Sequence, residues 1–187
     1  MFELPVVEEP CTLLISEDEV LWTLFGVIRE KEMLELVHLL HALNLLPVKE
    51  RPKQIKFVLN SGGGDLHSAL PLYDAICTSK IPVWIHATGI CCSAATLLLC
   101  AAKKRTASAT TRFMLHDISY GFDMISRQDA KAMHQSMDEY SALMKEIYAA
   151  KTKLSLEGIT ELFDSGKDTY FWAAAAKDVY GLIEEVC

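Results

Sequence analysis

Apolar positions along this chain fall into two alternating periods, and the switches between them mark the elements. Thr23-Leu24-Phe25-Gly26-Val27-Ile28 reads as a strand, and Glu30 to Leu46 carries its apolar residues at helical spacing, which predicts an amphipathic helix. Val48 to Pro52 supplies a turn. Ile55-Lys56-Phe57-Val58-Leu59 is the next strand, Asn60-Ser61-Gly62-Gly63-Gly64-Asp65 a loop, and Leu66, Leu70, Tyr73 and Ile76 recur at helical intervals after it. Val83-Trp84-Ile85-His86 predicts a further strand, with a tight turn at Gly89. The uncharged run Ala94 to Ala102 then makes a helix that must be buried nearly all round. Arg112-Phe113-Met114-Leu115-His116-Asp117 reads as a strand. From Ser126 to Lys151 the pattern is one long helix with Met133, Met137, Tyr140, Met144 and Tyr148 on one face, a stripe suited to a core or an interface. Such alternation of strand and helix implies an α/β fold built of right-handed crossovers.

Three junctions in this pattern carry candidate chemistry. Ser93 sits where a strand gives way to an apolar helix, and there free N–H groups and the helix dipole favour developing negative charge. A serine at such a place is either a helix cap or a nucleophile, and taken alone the cap is the commoner case. The glycine loop after Leu59 leaves backbone N–H groups bare. It lacks both the Lys-Ser/Thr of a phosphate-binding loop and the G-x-G-x-x-G spacing, so an oxyanion or a peptide backbone fits it better than a nucleotide. His116, delivered at a strand end, is the natural general base.

Taken together these segments resemble the Clp protease proteolytic subunit (ClpP) family of self-compartmentalised serine peptidases. Asn60-Ser61-Gly62-Gly63-Gly64 is similar to the family's Asn-Ser-Pro-Gly-Gly, Gly89-Ile90-Cys91-Cys92-Ser93-Ala94-Ala95 to Gly-x-Ala-Ala-Ser-Met-Gly, and Arg112-Phe113-Met114-Leu115-His116 to Arg-x-Met-Ile-His. Thr152 to Glu157 resembles Thr-Gly-x-Ser-Leu-Glu, and Phe171 to Ile183 resembles Phe-Met-Ser-Ala-x-Glu-Ala-x-x-Tyr-Gly-Leu-Ile. The resemblance runs from about Thr23 to Glu184. It implies a ClpP/crotonase-like β/α spiral with a protruding handle helix, the handle region covering about 117–153 of a single peptidase domain at 23–187. Residues 1–22 would be an N-terminal segment, axial or disordered.

The resemblance also implies roles. Ser93 and His116 fall on the catalytic positions, and the backbone N–H groups of Gly63, Gly64 and Ala94 would hold the oxyanion. The family's aspartate lies two residues before the Phe, a place taken here by Thr169, so the role is assigned to Asp168 with an insertion read beside Tyr170; Asp164 is the reserve. The expected activity is serine endopeptidase cleavage of unfolded or dedicated protein substrates inside a barrel of two heptameric rings, a homo-oligomeric tetradecamer served by a Clp-type AAA+ ATPase. The alternatives are an inactive assembly subunit and a crotonase-type acyl-CoA enzyme. Ser119-Tyr120-Gly121-Phe122 occupies the place of a glycine-rich family segment that pairs with extended peptide, and keeps only Gly121.

Composition narrows the field. With 187 residues, 51% of them hydrophobic, the chain can bury a substantial core. A formal net charge of −7 argues against nucleic acid as a partner, and Lys103-Lys104-Arg105 reads as a solvated turn. Leu34 to Leu46 and Ala94 to Ala102 are shorter than a bilayer span, and Met1-Phe2-Glu3 lacks a basic leader, so no membrane partner and a cytoplasmic location are expected. Six cysteines at 11, 77, 91, 92, 100 and 187 have no C-x-x-C pairing, so buried thiols are expected and neither a metal nor any cofactor is called for. His38 and His41 would be a helix-surface pair, and His67 would border the cleft.

Overall fold

A computed structural model describes residues 11–15, 19–119 and 126–187. Among these, eight strands form one mixed, mostly parallel sheet joined by six α-helices. The strands are β1 (Cys11–Ile15), β2 (Glu19–Phe25), β3 (Gln54–Ser61), β4 (Val83–Cys92), β5 (Lys104–Ala107), β6 (Arg112–Leu115), β7 (Thr169–Trp172) and β8 (Glu185–Val186). The helices are α1 (Glu30–Leu45), α2 (Leu66–Thr78), α3 (Ala94–Ala101), α4 (Arg127–Lys151), α5 (Leu156–Asp164) and the short α6 (Ala173–Ala175). The main order is β1-β2-β3-β4-β5-β8, with β6 joined to β4 and β7 to β6. Only β1–β2 and β6–β7 run antiparallel among the described pairs.

Alternation explains which face is covered. β2 buries Val20, Trp22 and Leu24, β3 buries Ile55, Phe57 and Leu59, and β4 buries Val83, Ile85 and Ala87. On these face-inward residues α1 packs Met33, Leu36, Leu40 and Leu43, and α2 adds Ala69, Leu72 and Ile76. Trp22 meets Phe57 edge to face with centroids 5.9 Å apart. Full burial of one such side chain contributes about 1.5–3 kcal/mol, so this layer dominates the fold's stability.

The sheet begins earlier than Thr23. Val20 and Trp22 already follow the buried-side alternation, and Cys11–Ile15 pairs antiparallel with β2, so residues 11–15 and 19–22 belong to the sheet. β4 also differs from expectation, running on through Gly89 to Cys92 rather than turning there. Gly89 (φ 64°) marks a change of partner: β5 pairs with Trp84 to Ala87, while β6 pairs with Ile90 to Cys92. A Cβ at Gly89 would stand 2.8 Å from Asn60 Oδ1, which accepts the Ile90 N–H at 3.1 Å.

The long helix α4 starts at Ser126, whose Oγ accepts the Asp129 N–H at 3.1 Å. Its buried residues, Ser141, Met144 and Tyr148, lie in its second half, while Met133, Met137 and Tyr140 are only partly covered. After α6 the chain makes a π-helical turn over Ala176–Tyr180, stopped by Gly181 in the left-handed region. Among the described residues, no helix is long and apolar enough to cross a membrane.

Candidate active site

Ser93 joins β4 to α3 with φ 54° and ψ −130°, the one positive φ outside glycine among the described residues. Side chains avoid this region because Cβ crowds the backbone, at a cost of about 1–3 kcal/mol. The surroundings hold it there. Its N–H donates to Met114 O on β6 at 2.9 Å, and its carbonyl accepts from Thr96 N at 2.9 Å and Thr96 Oγ1 at 2.7 Å. The Ser93 side chain makes no capping hydrogen bond. Its Oγ lies 2.7 Å from His116 Nε2 instead.

His116 follows the last residue of β6, and strand register determines what faces it. Leu115 pairs with Thr169 and Met114 with Tyr170, so one step beyond the ladder His116 stands opposite Asp168. Asp168 Oδ1 is 3.4 Å from His116 Nδ1, and Asp168 Oδ2 is 3.4 Å from the Tyr170 hydroxyl. The Asp168 side chain is half exposed. Asp164 is engaged elsewhere, its Oδ1 held by Lys145 Nζ at 2.8 Å. The ladder from Arg112↔Trp172 to Leu115↔Thr169 is unbroken, so no bulge interrupts β7 beside Tyr170. Tyr170 stands two residues after Asp168. Further on, Ala176–Tyr180 forms a π-turn, which takes one residue more per hydrogen-bonded turn than an α-helix.

The glycine loop closes the other side. Gly63 was expected among the oxyanion donors, but its N–H donates to Ser61 Oγ at 3.1 Å. Gly63 is there for space: at φ 97°, a Cβ would lie 2.7 Å from Ser93 Cβ and 2.8 Å from Cys92 O. Gly64 (φ 146°) is equally constrained, since a Cβ would stand 2.3 Å from Ile28 O. The Gly64 N–H has no partner among the described residues. Ala94, as the first residue of α3, has no intrahelical acceptor for its own. Two open donors thus remain beside the serine.

Ser93, Ala94, His116 and Gly64 share a cleft of about 210 Å³ with Leu66 and Met144. Cys91 and Cys92 precede the serine but point into protein, and burial pushes both thiols up, away from the reactive thiolate. His67 packs edge-on against Tyr140 with centroids 4.9 Å apart, outside the cleft lining. His38 and His41 are exposed on α1. Tyr120, Gly121 and Phe122 lie outside the described residues. The Tyr170–Asp168 contact and the π-turn were not foreseen.

Comparison with known proteins points to one family. The family model described as Clp protease matches residues 22–187. A curated relative, the "ATP-dependent Clp protease proteolytic subunit 3" of Rhodococcus jostii (strain RHA1), is 32% identical over 144 residues, 76% of this chain and 69% of its own. With the motifs in their expected order and the sheet, serine junction and glycine loop folded around one cleft, the chain belongs to the Clp protease family.

Proposed function

We propose that this chain is a serine endopeptidase acting through Ser93, His116 and Asp168. The observation that carries this reading is the 2.7 Å contact from Ser93 Oγ to His116 Nε2, made by a serine in a strained backbone conformation. His116 takes the hydroxyl proton as Ser93 attacks a peptide carbonyl, and the oxyanion forms against the N–H groups of Gly64 and Ala94. His116 then protonates the leaving amine. Water, deprotonated by the same imidazole, attacks the acyl-enzyme and frees Ser93. Asp168 accepts a hydrogen bond from Nδ1–H, which fixes the tautomer and stabilises the imidazolium. In free enzymes such bonds are commonly long and tighten with substrate bound.

The same reading makes residues 23–187 one peptidase domain, with a handle at about 117–153, working in the cytoplasm. The half of α4 that carries Met133, Met137 and Tyr140 is incompletely covered within one chain, which supports its use in packing subunits into heptameric rings and a tetradecamer. A Clp-type AAA+ ATPase would feed it unfolded polypeptide. Incubation of the purified protein with a fluorophosphonate, followed by peptide mass spectrometry, tests the core claim: an adduct on Ser93 is expected, and an assembled oligomer that takes none overturns it.

A further inference from the structure

The cleft beside Ser93 has a charge pattern that the proposed reaction does not use. Besides the serine, the histidine and the open N–H donors, its wall carries two carboxylates, Asp65 and Asp117, and no lysine or arginine among the described residues. Asp117 directly follows His116. Its Oδ1 accepts from Ser141 Oγ at 2.7 Å and from the Ile118 N–H at 2.8 Å, which anchors the group to α4, while Oδ2 takes no partner among the described residues. Asp65 caps α2 by accepting the His67 and Ser68 N–H groups at 3.3 and 3.0 Å. Burial raises its pKa, but hydrogen bonds from the Ser68 hydroxyl and the two backbone donors outweigh that and hold it below the usual carboxylate value. It therefore stays ionised at neutral pH. The same lining includes Leu66, Ile118 and the buried Met144, an apolar surface for an aliphatic stem.

An apolar wall that also carries carboxylates matches one class of side chain, a long hydrocarbon ending in a cation. We infer that this cleft is a specificity pocket for lysine or arginine at the residue contributing the scissile carbonyl, with Asp117 as the principal determinant and Asp65 as the second. The inference rests on the peptidase reading. Arginine suits it better than lysine, because a guanidinium can bridge two acceptors in fixed geometry. An aspartate serving only to tie the loop to α4 would not distinguish one substrate side chain from another.

The test uses the full-length protein and two peptidyl diphenyl phosphonates that differ only in an arginine-like or leucine-like side chain next to the phosphorus. Rates of Ser93 modification are followed by mass spectrometry. The arginine-like probe should react at least ten-fold faster. Asp117→Asn should reduce that ratio at least ten-fold, and Asp117→Glu should keep most of it. Faster reaction of the leucine-like probe, or a ratio unmoved by Asp117→Asn, overturns the inference. Binding of the matching arginine and leucine peptides to Ser93→Ala decides the same question without chemistry. Arginine preference there, with Ser93 inert to every phosphonate, would uphold the pocket and remove the peptidase reading; no arginine preference there removes the pocket.

Discussion

The Tyr148 hydroxyl on α4 lies 2.6 Å from Thr96 Oγ1, and because Thr96 gives its own proton to Ser93 O, tyrosine must be the donor. A buried chain of two hydrogen bonds thus runs from the long helix to the carbonyl of the candidate nucleophile. Tyr148→Phe removes its first link and should lower stability by about 1 kcal/mol in denaturant unfolding. Because Ser93 then loses part of its support, its rate of fluorophosphonate labelling should fall in the same variant.

The conformation of Ser93 makes a second prediction. Ser93→Ala and Ser93→Gly both lose the hydroxyl and should both be inert to fluorophosphonate. They differ in the Cβ that a φ of 54° disfavours. Ser93→Gly should therefore be more stable than Ser93→Ala by about 1 kcal/mol, measured by urea titration, whereas an ordinary helix position would give the opposite order.

Asp168→Asn should lower turnover on the order of 10³-fold while leaving the fold unchanged, since its contribution is to orient His116. Asp164→Asn should change turnover less than two-fold, because that carboxylate serves Lys145. Steady-state kinetics on the pair separate the two aspartates.

Gly63→Ala should be severely disruptive. The added methyl meets Ser93 Cβ and the Cys92 carbonyl below 3 Å, in a backbone region that side chains rarely adopt. A loss of at least about 2 kcal/mol in unfolding and of Ser93 labelling is expected. Gly62→Ala, whose Cβ meets only Ile90 Cδ1 at 3.8 Å, serves as the control.

Thiol reactivity should follow burial. Cys77 and Cys187 are exposed, whereas burial pushes Cys100 up to about 12 and Cys91 well above its ordinary value. At pH 8 the buried pair are neutral thiols with negligible thiolate. Iodoacetamide on the native protein should modify Cys77 and Cys187 and spare Cys91 and Cys100, as read by peptide mass spectrometry.

Much of the site was legible because it sits at junctions. The switch from period two to period 3.6 around Ser93, and the strand ending at His116, place both residues without any knowledge of the fold. Asp168 was legible only by resemblance, since nothing local distinguishes it from Asp164; antiparallel register between β6 and β7, a long-range property, is what separates them. Gly63 was assigned to the wrong task because a bare N–H and an N–H held by Ser61 look alike until the serine's side chain is placed. The start of β2 was missed because Val20-Leu21-Trp22-Thr23-Leu24-Phe25 is a nearly continuous apolar run, with no strict alternation to mark where the strand begins.

The fork in β4 has a mechanical consequence. Ser93 is continuous with the strand that belongs to the main sheet, whereas His116 and Asp168 both ride on the β6–β7 ribbon, which branches off after Gly89. Among the described residues that ribbon is hydrogen-bonded to β4 along Ile90 to Cys92, through the Ser93 N–H, and at its base by the Thr111 hydroxyl on Ala87 O. A rigid tilt of the ribbon carries imidazole and carboxylate together and leaves their mutual distance intact. A tilt of that kind would therefore be felt first at the contact between the Ser93 hydroxyl and the His116 imidazole, without unfolding any part of either.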